Sequence, residues 1–275
     1  RIGHGGSLDP FATGLLVVLI GEATKIARFL LEGEKEYEAT AALGSETDTG
    51  DHTGEVVNRC EVPILSREEW QSFAKGWTGL IRQTPPAYSA IKIKGRPLYD
   101  YARKGEEVEI PSREATIYAF DILAAEQGKI RFRVRCSGGT YIRALAADLA
   151  MTAGSCAHLA ELRRTGSSAF LIQDAIPLDA ALEMEQANQL PLRPLEDALA
   201  HLPRITCTIP MAQKVRQGNI SALETLRPQL EKPGFFLLLQ EGTPRAVPVA
   251  VCNHNPMMHP PCSIERVFDP RLGEA

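Results

Sequence analysis

Hydrophobic residues recur along the chain with two periods. From Lys129 to Cys136 they alternate strictly, with Ile130, Phe132, Val134 and Cys136 on one side and Arg131, Arg133 and Arg135 on the other, which predicts a strand with one buried face. A weaker alternation of Tyr37, Ala39, Ala41 and Leu43 predicts a strand over Lys35 to Leu43 and turns Tyr37 toward a core or a cleft. Helical spacing governs Thr24 to Gly33, where Ile26, Phe29 and Leu30 share a face and Gly33 marks the stop. Ser66-Arg67-Glu68-Glu69 has capping-box spacing and opens a helix carrying Trp70, Phe73 and Trp77. Pro85-Pro86 interrupts the chain, and Pro97 starts a short helix, Leu98 to Lys104, closed by Gly105. Gly138-Gly139 turns the arginine-bearing strand into a helix from about Tyr141 to Ala153. Leu178 to His201 reads as helical, rich in Leu and Ala, up to Pro203; beyond it, the apolar runs Phe235 to Leu239 and Ala246 to Val251 are split by Gly and Pro, as in a small β-rich domain. The expectation is an α+β protein: a larger domain at 1–203 built on a mixed, mainly antiparallel sheet, with an insertion at about 82–110, then a smaller domain at 204–275.

A length of 275 residues with 44% hydrophobic content suits two cores. No apolar run reaches the roughly 18 residues of a membrane span, and the start lacks a signal-peptide core, which points to a cytoplasmic protein. The six cysteines are dispersed with no Cys-x-x-Cys pair, the pattern of buried thiols in a reducing compartment. The chain opens at Arg1, so an amino-terminal segment is expected to precede it.

A net charge of -4 and a pI near 5.9 exclude a general electrostatic attraction to nucleic acid. The local distribution differs. Arg82, Lys92, Lys94, Arg96, Arg103 and Lys104 face one acid, Asp100, and Lys129, Arg131, Arg133, Arg135 and Arg143 face none between them. The row at 131, 133 and 135 also fits a solvated sheet face or edge protection. Arg143 falls in the first turn of its helix, where the helix dipole opposes a cation, so it calls for an anionic partner. Cys252, His254, His259 and Cys262 offer four ligand types, but the spacing matches no standard zinc finger and the prolines among them suit an irregular hairpin tip; no metal is expected.

The densest chemistry lies at the start. Gly3-His4-Gly5-Gly6-Ser7-Leu8-Asp9-Pro10-Phe11-Ala12-Thr13-Gly14 holds one carboxylate in a glycine-dense loop that lets a ligand approach the main chain, with Pro10 fixing the turn after Asp9. Alone, it also reads as a surface turn in which Asp9 bonds its own backbone.

Taken in order, this loop, Glu34 to Gly44 with Tyr37, Pro85 to Gly105, Cys136 to Arg143 and Leu162-Arg163-Arg164 resemble the TruB family of tRNA pseudouridine synthases. Leu43 to Thr49 and Tyr88-Ser89-Ala90-Ile91-Lys92 carry the likeness further, from residue 1 to about 170. The resemblance implies the pseudouridine synthase fold, a small PUA-like carboxy-terminal module, and isomerisation of uridine at position 55 of the tRNA T-loop without cofactor or metal. It implies that Asp9 is the catalytic aspartate, Arg143 its ionic partner and Tyr37 the active-site tyrosine. It further implies that His4, Tyr141 and Leu162 contact the extruded nucleotide, while the basic insertion, Arg163, Arg164 and Lys25 grip phosphates. The expected partner is the T-arm of tRNA, met by a monomer without a guide RNA. Two other readings stand beside it: a tRNA-binding or folding factor without chemistry, and a guide-RNA-dependent relative.

Overall fold

The computed structural model describes residues 1–106, 108–229, 232–242 and 246–269. The chain forms two compact units, one of Gly6–Val17 and Leu30–Ala175, the other of Arg1–Gly5, Val18–Phe29 and Ile176–Ala275.

The first unit is a sheet in the order Phe170–Leu171, Ala157–Ser167, Lys35–Leu43, Lys129–Cys136, Arg113–Glu126, Gly79–Gln83. These neighbours are all antiparallel, and Thr13–Gly14 adds a short parallel pairing to Ala157–Ser167. The predicted alternation is realised residue by residue: Ile130, Phe132, Val134 and Cys136 are buried and the arginines between them are exposed. Helices Arg67–Gly76 and Ile142–Thr152 pack against that apolar face, so Trp70, Leu145, Leu149, Phe132 and Ile117 share one core. The capping box forms as expected: the Ser66 hydroxyl accepts from the Glu69 N–H while the Glu69 carboxylate accepts from the Ser66 N–H.

The opposite face of the sheet is polar. Arg133 pairs with Glu38 at 2.6 Å and Arg135 with Glu34 at 3.0 Å, so these two arginines of the second basic run meet acids that sequence distance had separated from them. The solvated-face reading therefore holds there.

The second unit carries a sheet in the order Arg204–Cys207, Gly234–Gln240, Val247–His254, Cys262–Val267, parallel in its first pair and antiparallel in the others. Its core gathers Ile205, Val215, Leu223, Phe236 and Val249, with helix Ile209–Arg216 laid on the strands. Residues 176–203 belong with this sheet, as does the antiparallel pair Ile2–His4 and Val18–Ile20; the composition change at 204 falls inside the unit.

Two expectations are corrected. The helix expected from Leu178 to His201 runs only over Leu178–Gln186, with a short 3-10 turn at Leu195–Asp197, because Pro191 and Pro194 remove donors and Asn188 adopts a positive φ of 57°. Cys60 and Cys156 are joined in a disulfide across 96 residues, with Cα atoms 5.7 Å apart, so they are not free thiols; Cys136, Cys207, Cys252 and Cys262 are the buried thiols expected. The case for a reducing compartment loses its basis in cysteine spacing.

Candidate active site

Within the first unit the loop from Gly6 to Val17 lies against the strand Ala157–Ser167, pairing with it in parallel at Arg163 and Arg164. Ala12 N–H donates to the Asp9 carbonyl at 2.9 Å, closing the turn that Pro10 initiates. Gly14 is required here: its φ is +102°, and a Cβ would lie 2.3 Å from the Arg164 carbonyl oxygen. The loop is thereby pressed onto the sheet.

Arg143 sits in the first turn of helix Ile142–Thr152 and has the anionic partner its position calls for. Its Nε donates to Asp9 Oδ2 at 2.9 Å and its Nη2 to Asp9 Oδ1 at 3.1 Å, a two-point ion pair. The Arg143 side chain is 4% exposed and that of Asp9 is 33%, so the cation is sealed while the carboxylate keeps an open side. The remaining guanidinium donors go to the carbonyls of Thr49 at 2.6 Å and Tyr88 at 3.0 Å. Asp51, which the sequence reading did not single out, stands 3.9 Å from Arg143 Nη1 and is itself fixed by the Thr49 hydroxyl and the Thr53 N–H. Its only sequence signal is its place just past the Leu43 to Thr49 phrase.

Tyr37 is half-buried on the core side of its strand, packed against the main cluster, opposite Arg164 in the pairing. Burial pushes its hydroxyl up to about 12, with the neighbouring Cys136 adding to the rise while Arg164, by charge and hydrogen bond, opposes it. Tyr37 is therefore a neutral phenol at neutral pH.

Arg164 is corrected from a phosphate grip to a loop holder. It is 1% exposed, and it donates to the carbonyls of Leu15 at 2.7 Å, Gly6 at 3.0 Å and Ser7 at 3.3 Å. It thus ties both ends of the segment that carries Asp9. Lys35 is buried beside it, donating to the carbonyls of Leu30 at 2.6 Å and Gly33 at 2.7 Å. Burial, and then the charge of Arg164, lower the Lys35 ammonium to about 8.

The other expected site residues are distributed as follows. Leu162 is buried on the same face as Arg164 and belongs to the core cluster. Arg163 points to the opposite, polar face, in register with Glu38, and so is separated by the sheet from Asp9 and Arg143. The period of two leaves Arg163 exposed there, on the other face from its neighbour Arg164. Tyr141 caps the Arg143 helix and is half-buried. His4 lies exposed on strand Ile2–His4 of the second unit. Lys25, also in that unit, bonds Glu22 at 2.6 Å and the Val267 carbonyl at 2.9 Å. The basic insertion forms a hairpin, Lys92–Ile93 with Arg96–Pro97, followed by helix Leu98–Arg103. Arg96 pairs with Glu106 at 2.7 Å and lies over the Tyr101 ring, leaving Arg82, Lys92, Lys94, Arg103 and Lys104 as its exposed cations. Among the described residues no group of three or more His, Cys, Asp or Glu side chains is arranged to hold a metal ion, and none of the helices is long and apolar enough to cross a membrane.

Comparison with known proteins adds an independent line. Residues 1–142 match the model of the TruB family pseudouridylate synthase, amino-terminal domain. The chain is 45% identical over 224 residues to a tRNA pseudouridine synthase B of Aromatoleum aromaticum, covering 81% of this chain and 72% of the relative. It is 40% identical over 243 residues to the enzyme of the same name from Streptococcus sanguinis, covering 86% and 82%. Among solved structures, the crystal structure of a Cbf5-Nop10-Gar1 complex contains a chain that superposes with a TM-score of 0.70 over 98% of this chain and 77% of that one, at 24% identity, which attests the fold.

Proposed function

The chain belongs to the TruB family of pseudouridylate synthases, and from that membership and the geometry above we propose that it converts uridine to pseudouridine at position 55 in the T-loop of tRNA, with Asp9 as the attacking carboxylate. The observation that carries this reading is the two-point pairing of a partly open Asp9 with a sealed Arg143. A guanidinium so placed fixes the direction of the carboxylate's free lone pairs, the condition for nucleophilic attack on the nucleoside.

The reaction breaks the bond from N1 to C1′ and forms one from C5 to C1′; the C5 hydrogen leaves as a proton and N1 gains one. No electrons enter or leave. Because a stacked base hides its C5, the uridine is turned out of the loop before attack. Tyr37 offers its ring to the turned-out base, and its hydroxyl, pushed up by burial, is a neutral phenol at pH 7 and not a resident base. The exposed cations of the hairpin insertion supply phosphate contacts, and the small β-rich module supplies a second RNA surface of PUA-like type. The enzyme acts as a monomer on free tRNA, without a guide RNA, in the cytoplasm where that substrate is.

Release of tritium from a T-arm hairpin labelled at uridine C5 tests this directly. Release near one equivalent per hairpin, abolished in Asp9→Ala and Asp9→Asn with hairpin binding retained, is expected. Turnover surviving in either variant removes Asp9 from the nucleophile's role.

A further inference from the structure

Gln83 ends the strand Gly79–Gln83, the outermost strand of the sheet order beside Arg113–Glu126, and the residue is only 2% exposed. A primary amide buried to that degree needs both its ends satisfied. Gln83 meets the need on a single residue: Nε2 donates to the Tyr141 carbonyl at 3.1 Å, and Oε1 accepts from the Tyr141 N–H at 3.0 Å. This is the exchange that a neighbouring strand makes in an antiparallel ladder, made here by a side chain.

Tyr141 is the residue from which the Arg143 helix starts. It is extended, at φ -94° and ψ 106°, and its side chain makes no capping bond. Its carbonyl already accepts the first helical bond, from Leu145 N–H at 3.0 Å, so the same oxygen receives a helical donor and the Gln83 amide. The clamp therefore fixes where the helix begins and at what rotation. Two residues on, Arg143 spends its donors on Asp9, Thr49 and Tyr88, each within 3.1 Å, an arrangement that a small rotation of the first turn would break.

We propose that Gln83 is a positioning residue for the reaction: by clamping the Tyr141 main chain it sets the guanidinium of Arg143, and through it the carboxylate of Asp9. The proposal rests on the roles given to Asp9 and Arg143 above. Gln83 itself touches neither the carboxylate nor the guanidinium in the hydrogen-bond network described, so its effect is transmitted through one helical turn. Methionine at this position keeps the length and removes both bonds. Glutamate keeps an acceptor for the Tyr141 N–H but sets a second acceptor against the Tyr141 carbonyl.

The test is a double-mutant cycle on single-turnover tritium release, with hairpin Kd and thermal melting measured on each protein. Gln83→Met is expected to lower the rate about 10- to 100-fold, the scale of a misplacement near 1 Å, with Kd within about threefold of wild type. In an Arg143→Lys background, where the fork geometry is already lost, the same change is expected to lower the rate less than about threefold, since coupled residues are not additive. Gln83→Glu is expected to lose rate as well, and it carries the cycle if the methionine variant does not fold. Equal fold-losses in both backgrounds, or a weakened Kd with an unchanged rate, overturn the proposal. The Asp9 reading is judged separately, by turnover in Asp9→Ala, whatever Gln83 does.

Discussion

Replacing Arg164 by methionine separates two roles that a Leu-Arg-Arg run leaves indistinguishable. If Arg164 gripped a phosphate, its loss would weaken RNA binding and flatten the dependence of log Kd on log salt by about 0.7 to 0.9, the contribution of one neutralised phosphate. The structure assigns it other work, since its guanidinium donates to the carbonyls of Leu15 and Gly6 in buried surroundings and to that of Ser7 nearer the surface. Methionine leaves two buried carbonyls without their donor, at about 1–3 kcal/mol each, so about 2–6 kcal/mol of stability is expected to go. For a unit of this size that lowers Tm by roughly 5–20 °C. The Asp9 segment, untied at both ends, is expected to lose about 10²-fold in single-turnover rate. Melting followed by circular dichroism, tritium release, and hairpin binding at several salt concentrations measure the three quantities. An unchanged Tm together with a salt slope smaller by nearly one refutes the loop-holding role.

Further outcomes follow from individual contacts. Tyr37→Phe removes only the hydroxyl, and because that hydroxyl is a neutral phenol across the neutral range, the pH profile of tritium release between pH 6 and 9 is expected to keep its shape; a lost basic limb would show that the hydroxyl titrates in catalysis. Lys35 has a folded-state value of about 8 against 10.5 unfolded, so between those values the unfolded chain binds the extra proton and stability rises with pH. Wild type should therefore gain on Lys35→Met by up to about 3 kcal/mol as pH climbs from 8 to 10.5, and denaturant midpoints that run parallel over that window would contradict it. The Cys60–Cys156 bridge spans 96 residues, and the chain-entropy model gives such a loop about 4–5 kcal/mol. Dithiothreitol should lower the wild-type Tm to that of Cys60→Ser, and titration of six free thiols in unreduced protein would show that the bond is absent.

What the sequence made legible was whatever repeats locally. The strand Lys129–Cys136 has one buried and one charged face, so its period alone defines it; the capping box at Ser66 works through residues three apart; and the helix dipole at Arg143 demanded an anion before any was in view. Pairing across distance was not legible in this way. Arg143 and Asp9 are 134 residues apart, Cys60 and Cys156 are 96 apart, and Gln83 is 58 from the residue it clamps. Resemblance supplied the first of these pairs because it carries the family's fold along with its motifs. It could not supply the others, which involve residues outside the matched phrases.

The two adjacent arginines show where motif and geometry part. On a strand, neighbours face opposite ways, so Arg163 and Arg164 cannot share a ligand on one side of the sheet. Which of them faces Asp9 is decided by register: Arg164 stands opposite Tyr37 and Arg163 opposite Glu38, with a bulge between Arg164 and Gly166 and another between Leu159 and Glu161. A bulge shifts every later side chain by one face, and nothing in the local composition at 157–167 marks where it falls. The inward arginine then meets carbonyls that a loop with only the two-residue strand Thr13–Gly14 leaves unpaired, and a buried guanidinium, with five donors, can satisfy several of them at once. A loop that must keep a carboxylate open to substrate joins the ladder only at Thr13–Gly14, past the carboxylate. Its order has to come from side chains behind it, and Arg143 and Arg164 supply that order, one at the carboxylate and one at the main chain.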